Sequence, residues 1–140
     1  MKYRWLIFFG LLALGSGGYF MLKNSTQSLN REGKRLYRIN CANCHMDDGS
    51  GLSALIPPLA NADFLAQNRD KLPCYLRHGL QDTIVVNGKT YAEQMPGVEK
   101  LSYIDITNLL NYINTNWGNH NPPYHPEDVR DLLVPCEHHN

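Results

Sequence analysis

A mainly α-helical domain with one small β-hairpin is predicted by three observations. Near the end of the chain, Ser102 and Asp105 form a capping-box-like pair, and Ile106, Leu109, Leu110 and Ile113 line one face of the helix that follows. A second amphipathic stretch, Leu29 to Asn40, carries apolar Leu29, Leu36, Ile39 and Tyr37 and runs into Cys41-Ala-Asn-Cys44-His45. Between the two, β-like residues are confined to Thr83–Tyr91, where Asn87-Gly88 is the strongest hairpin turn available.

The elements follow in chain order. Residues Trp5 to Leu22 carry no charge, and eighteen residues of helix span about 27 Å, the short end for a membrane crossing. Residues 1–23 therefore read either as a retained membrane anchor or as a signal peptide cut near Ala13-Leu14-Gly15 or Gly15-Ser16-Gly17. Apolarity that persists through Tyr19, Phe20, Met21 and Leu22 favours the anchor. Residues 24–28 are polar and linker-like, 29–118 form the folded domain, and 119–140 are a C-terminal extension rich in His and Pro. Within the domain, Asp47–Gly51 reads as a loop, and the prolines hold Ile56-Pro57-Pro58-Leu59 extended. Asn61 or Asp63 is a candidate cap for a short helix through Ala66, while Pro73 and Gly79 bracket a helix over Cys74–His78. Leu101 and Ile106 staple the start of the long helix, and Trp117-Gly118 closes it. Pro126, Glu127 and Asp128 open a last short helix to about Val134, with its acidic residues at the positive end.

At 140 residues the chain fits one small domain, and its ordinary composition excludes disordered and collagen-like classes. Formal net charge is zero, but without Lys2, Arg4 and Lys23 there remain ten Lys and Arg against thirteen Asp and Glu. A nucleic-acid partner is not expected from that balance. Arg31, Lys34, Arg35 and Arg38 cluster on one predicted helix and read as a solvated face rather than a docking patch.

Cys41-Ala-Asn-Cys44-His45 carries the chemistry. C-x-x-C followed at once by His is an attachment signature for covalent haem: two thiols bond the vinyl groups, and the next residue presents an imidazole to iron. A dithiol redox pair would sit in a βαβ pattern, whereas Cys41 follows a helix with no preceding strand. A zinc site would need a second Cys/His pair at finger-like spacing, and the dense candidate, Cys136 with His138-His139, lies about ninety residues away.

With the helix entering this motif, the segment Gly79 to Met95-Pro96-Gly97 and the closing run Leu109 to Gly118, the chain resembles a class I cytochrome c over about Leu29 to Gly118. The resemblance implies the cytochrome c fold, helices around one covalent haem c, with His45 as proximal and Met95 as distal iron ligand. Elementary geometry agrees: Met46 adjoins His45 and cannot reach the other haem face, and Met1 and Met21 lie in the N-terminal apolar segment. The resemblance also points to the carbonyl of Pro57 or Pro58 as acceptor for the His45 ring, to Gly33 and Tyr37 crossing the late helix near Leu109 and Tyr112, and to Arg77, Tyr91 and Trp117 as hydrogen-bond donors to the propionates.

Cys74 and Cys136 remain after haem attachment. Outside the cytoplasm a leftover pair reads as a disulfide, with two buried free thiols as the alternative. His120, His125, His138 and His139 match no metal spacing and read as a polar tail, and His78 suits a helix C-terminus. With both axial positions filled, the expected role is one-electron transfer between a donor and an acceptor redox protein, without a small-molecule substrate. The expected place is the bacterial cytoplasmic membrane with the haem domain in the periplasm, or the soluble periplasm if the leader is cut. Two alternatives stay open: a subunit of a larger oxidoreductase, and a haem sensor or enzyme whose sixth ligand is displaceable.

Overall fold

The computed structural model describes residues 30–137. The expected anchor or signal (1–23), the linker (24–28), Leu29, His138 and His139 lie outside them. No helix among the described residues is long and apolar enough to cross a membrane.

Helix α1 (30–40) buries Gly33, Leu36 and Tyr37 on one face. Ile39, expected on that face, is 64% exposed. At about 100° per residue it lies some 200° round the helix from Tyr37, so burying one turns the other to solvent. Arg31, Lys34, Arg35 and Arg38 are exposed as expected, with Arg35 hydrogen-bonded to Glu32 one turn back. The chain continues through Cys41 into the single turn α2 (Ala42–His45).

Helix α5 (Tyr103–Thr115) crosses α1. Its start is the expected capping box: Asp105 N–H donates to Ser102 Oγ at 3.1 Å, and Ser102 N–H donates to the Asp105 carboxylate at 3.0 Å. Leu101 and Ile106 are both buried across that cap, and Ile106, Leu109, Leu110 and Ile113 form the centre of the core. The crossing is tight because Gly33 has no side chain: a Cβ there would lie 2.6 Å from Tyr112 Cβ and against the Asn108 carbonyl. Tyr37, Tyr112 and Trp117 cluster beside it, with ring centroids 4.8 to 5.6 Å apart.

Between α2 and α5 the chain forms α3 (Asp63–Gln67), a 3₁₀ turn (Arg69–Lys71) and α4 (Leu72–His78). Pro73 stands in the first turn of α4, and Gly79 ends it with φ 87°. The predicted hairpin is present as β2 (Ile84–Val86) and β3 (Lys89–Tyr91), turning at Asn87 and Gly88, both at positive φ. A second antiparallel pair, β1 (Gly79–Leu80) with β4 (Met95–Pro96), is not foreshadowed in the sequence. The expected side-chain cap on α3 is absent. Ala62 holds the N-cap position, and Asp63 is spent on the hairpin: its carboxylate accepts from Asn87 N–H at 2.7 Å, while Asn87 Oδ1 accepts from Asp63 N–H at 3.1 Å.

Residues 119–137 pack into the same core. Asn119 donates to the carbonyls of Leu59 and Ile113, and Asn111 exchanges two hydrogen bonds with the Tyr124 backbone. The Arg69 guanidinium lies 3.7 Å from the Tyr124 ring centroid and donates to the carbonyls of Pro122 and Pro123, while the Tyr124 hydroxyl donates to the Arg69 carbonyl. Helix α6 (Pro126–Glu137) runs past the expected end at Val134, with Pro135 inside it. Its apolar face explains the extra turn: Val129 and Leu133 are buried and Leu132 and Cys136 partly so, so packing carries the helix through the proline. The carbonyl that Pro135 cannot bond belongs to Asp131, an exposed residue open to water. Cys136 meets Cys74 of α4, with Cα atoms 5.9 Å apart, a separation that suits a bridge. His120 and His125 are exposed.

Burial pushes the Tyr124 phenol up to about 12, with the Arg69 cation opposing and Asp70 adding to the shift. An unfolded phenol titrates near 10, so the folded chain holds this proton more tightly. The resulting stability is complete below about pH 10 and is lost as pH rises through about 12. Denaturant titrations from pH 8 to 12 should show stability falling over that window, and Tyr124→Phe should fall less steeply.

Candidate functional site

The attachment motif continues the axis of α1. Cys41 N–H donates to the Tyr37 carbonyl at 2.8 Å, and the amides of Cys44 and His45 both donate to the Cys41 carbonyl, at 3.1 and 2.8 Å. Residues three and four apart on such a turn share a face, so both thiols and the imidazole line one cavity. Burial pushes the Cys41 thiol up to about 12, with Cys44 adding to the shift. A reactive dithiol pair has a lowered thiol pKa, so the environment here disfavours that reading.

His45 is buried, and its Nδ1 lies 3.0 Å from the Pro57 carbonyl. A carbonyl only accepts, so Nδ1 carries the proton and Nε2 keeps its lone pair. Burial lowers the His45 pKa, the hydrogen bond to Pro57 opposing, so the ring is held neutral as a metal ligand must be. Of the two prolines considered, Pro57 supplies the acceptor, and Pro58 lines the cavity. The loop is shaped for this: Gly51 N–H donates to the His45 carbonyl at 3.1 Å, and the amides of Leu59 and Ala60 both donate to the Gly49 carbonyl.

Met95 reaches the same cavity from a separate element. Its segment is tied to the end of α4: Leu80 pairs with Met95, Gly79 pairs with Pro96, and Val98 N–H donates to the Leu76 carbonyl at 2.8 Å. Gly97 makes this possible, since a Cβ there would lie 2.6 Å from His78 C and 2.7 Å from Gly79 N. The remaining walls are largely apolar, including Leu59, Phe64, Leu72, Ile84, Val98 and Leu110.

The donor set fits haem: one neutral imidazole, one thioether sulfur, two thiols spaced for vinyl groups, and an apolar enclosure. A bare metal ion fits less well, because no group of three or more His, Cys, Asp or Glu among the described residues is arranged to hold one.

Arg77, Tyr91 and Trp117 are not among the residues lining the cavity. Arg77 Nη1 donates to the Glu99 carbonyl at 3.0 Å, while its Nε is buried without a partner. Tyr91, the last residue of β3, is buried in the core, with Lys89 Nζ 5.5 Å from its ring centroid. Trp117 sits in the aromatic cluster at the α1–α5 crossing, where its ring closes over Gly49. Sequence reasoning missed Phe64 and Tyr75, which line the cavity with stacked rings 6.2 Å apart, and missed the Gly97 contact. The one available signal was that Phe64 stands in a predicted helix too short to need an aromatic for its own core.

A family model described as cytochrome C oxidase, cbb3-type, subunit III matches residues 28–113. A cytochrome c-552 of Thermus thermophilus is 33% identical over 122 residues, covering 81% of this chain and 82% of the relative. A second cytochrome c-552 from the same species is 34% identical over 110 residues, covering 72% of this chain and 83% of the relative. The cytochrome c subunit of a quinone alcohol dehydrogenase from Gluconacetobacter polyoxogenes is 37% identical over 94 residues, covering 64% of this chain and only 19% of that protein.

Proposed function

We propose that this chain, which belongs to the cytochrome c family and transfers electrons on haem c, holds a single haem through Cys41 and Cys44 with His45 and Met95 as iron ligands. The observation that carries this reading is that both thiols, the neutral imidazole and the Met95 thioether line one apolar cavity. When bound, haem would supply one-electron exchange, and an imidazole from His45 with a thioether from Met95 would raise its potential. The rest is done by the chain. Pro57 fixes the ring of His45 and strengthens it as a donor. The β1–β4 pair holds Met95 in place, so no large rearrangement accompanies each electron. The apolar walls exclude water, and Arg77, although outside the cavity lining, keeps a buried, unpartnered Nε that suits a propionate.

The domain works between a donor and an acceptor redox protein. It is held at the outer face of the bacterial cytoplasmic membrane by residues 1–23, or released into the periplasm if they are cut. In that oxidising compartment Cys74 and Cys136 form a disulfide; their 5.9 Å Cα separation supports the pairing. The likeness to a dehydrogenase's cytochrome c subunit and to a family described as an oxidase subunit favours a second reading, in which the chain is a fixed subunit of a larger oxidoreductase.

Potentiometric titration of the holoprotein should give a one-electron wave, and the reduced form should bind carbon monoxide only slowly and weakly. Rapid, stoichiometric carbon monoxide binding at neutral pH would instead establish a displaceable ligand and a sensor or enzyme. Co-purification of a stable complex after mild solubilisation would favour the subunit reading over a roaming carrier.

A further inference from the structure

We propose that the C-terminal segment, joined to α4 at Cys74 and Cys136, is a positioning strap for the loop that carries Met95. The inference rests on Met95 being an iron ligand, and it assigns a role in ligation to residues that touch neither iron nor haem.

The segment from Met95 to Glu99 hangs on α4 and the residues just after it. Leu80 and Gly79 pair with Met95 and Pro96, Leu76 accepts from Val98 N–H, and Arg77 donates to the Glu99 carbonyl. Gly97 presses directly on the backbone of Arg77, His78 and Gly79. Met95 is therefore placed only as well as α4 is placed. Yet α4 has seven residues, far below the length at which a helix holds itself together in water. Its position comes from what it packs on.

Part of that support is the extension. Val129 and Leu133 of α6 are buried in the core, and Cys136 is joined to Cys74 in the first turn of α4. At the other end, Arg69, just before α4, is gripped by the carbonyls of Pro122 and Pro123 and stacked on Tyr124. So α4 is fastened to the extension just before its first turn and again within it, while its last turn carries the ligand loop. The bridge closes a loop across a sequence separation of 62 residues, which limits how far α6 can open away from α4. Without it, local opening of α6 frees α4, and Met95 moves with it while the rest of the domain stays folded.

The test compares wild type with the Cys74→Ala/Cys136→Ala holoprotein. Three signals are read against temperature: the weak long-wavelength Met–iron band of the oxidised form, carbon monoxide association with the reduced form, and helical circular dichroism. In the double variant the Met–iron band should disappear at temperatures where helical signal is intact, and carbon monoxide should bind about tenfold faster. That factor corresponds to about 1.4 kcal/mol of lost loop docking. In wild type, band and helical signal should be lost together. A purely stabilising bridge would lower both transitions equally and leave carbon monoxide binding below them unchanged, and that result overturns the proposal. Should the double variant fail to mature, wild-type holoprotein can be reduced, alkylated and reoxidised with ferricyanide before the same measurements, with the same two outcomes. Met95→Ala distinguishes failure of the premise: if it keeps the wild-type band, Met95 is not the ligand, whatever the cysteine variant does.

Discussion

Replacing Met95 by alanine is expected to abolish the Met–iron band, lower the reduction potential, and open the reduced haem to carbon monoxide. The thioether is a soft, uncharged donor that favours the reduced iron, so its loss favours the oxidised state. Axial ligation tunes haem potentials over about 0.8 V, and loss of one Met ligand should account for on the order of 0.1 V or more of that range. Each 0.1 V is about 2.3 kcal/mol per electron. The fold should survive. The ties of the ligand loop to α4 are backbone bonds at Leu80, Leu76 and Gly79, and alanine leaves them intact. Haem should also stay attached, since Cys41 and Cys44 lie on a different element. A variant that keeps its band and its potential would remove Met95 from the iron and return the sixth position to another residue.

What the sequence made legible was whatever rests on neighbours in the chain. Ser102 and Asp105, Asn87 and Gly88, and Pro73 and Gly79 act over one to six residues, and each stands where it was expected. Cys41, Cys44 and His45 belong to the same class, because one turn of backbone aligns them. What was not legible depends on partners far along the chain. Asp63 has the chemistry of a cap, but Asn87, 24 residues on, claims its carboxylate. The choice between the Pro57 and Pro58 carbonyls is made by the turn at Gly51. The extension reads as a tail because it is rich in proline and in polar histidine, yet Asn111, Arg69 and Cys74 hold it from three other elements. Strands β1 and β4 are two residues each, too short to leave a periodic signal. The roles of Arg77, Tyr91 and Trp117 came from sequence position alone. All three are where the resemblance puts them in sequence, and none of them lines the cavity.

Gly33→Ala should be among the most destabilising single-methyl changes in the domain, although alanine is the better helix former. In an isolated helix the substitution would gain about 1 kcal/mol. At the α1–α5 crossing the new methyl would sit 2.6 Å from Tyr112 Cβ and against the Asn108 carbonyl, where carbon atoms prefer about 3.5 to 4.0 Å. Neither neighbour can yield by rotating a side chain, because one is backbone and the other is the first atom of its side chain. The helices must therefore part by about 1 Å, which loosens Tyr37 from Tyr112 and Trp117, now 5.6 and 4.8 Å from it. Overpacking usually costs about 1 to 3 kcal/mol, and a backbone clash between two helices belongs above that range, so a net loss of about 3 kcal/mol is expected after the propensity gain. Because α1 leads directly into Cys41, the shift should also reach the haem: the thioether bonds will hold, but the Soret and Met–iron bands should change before the domain unfolds. Gly88→Ala is the control. It faces nothing within 4 Å, so its cost is only the strain of a positive φ, about 1 to 2 kcal/mol, and its haem spectrum should match wild type. If Gly33→Ala proves as stable as wild type, the α1–α5 contact is looser than the structure has it, and the aromatic cluster cannot be what sets the position of the attachment motif.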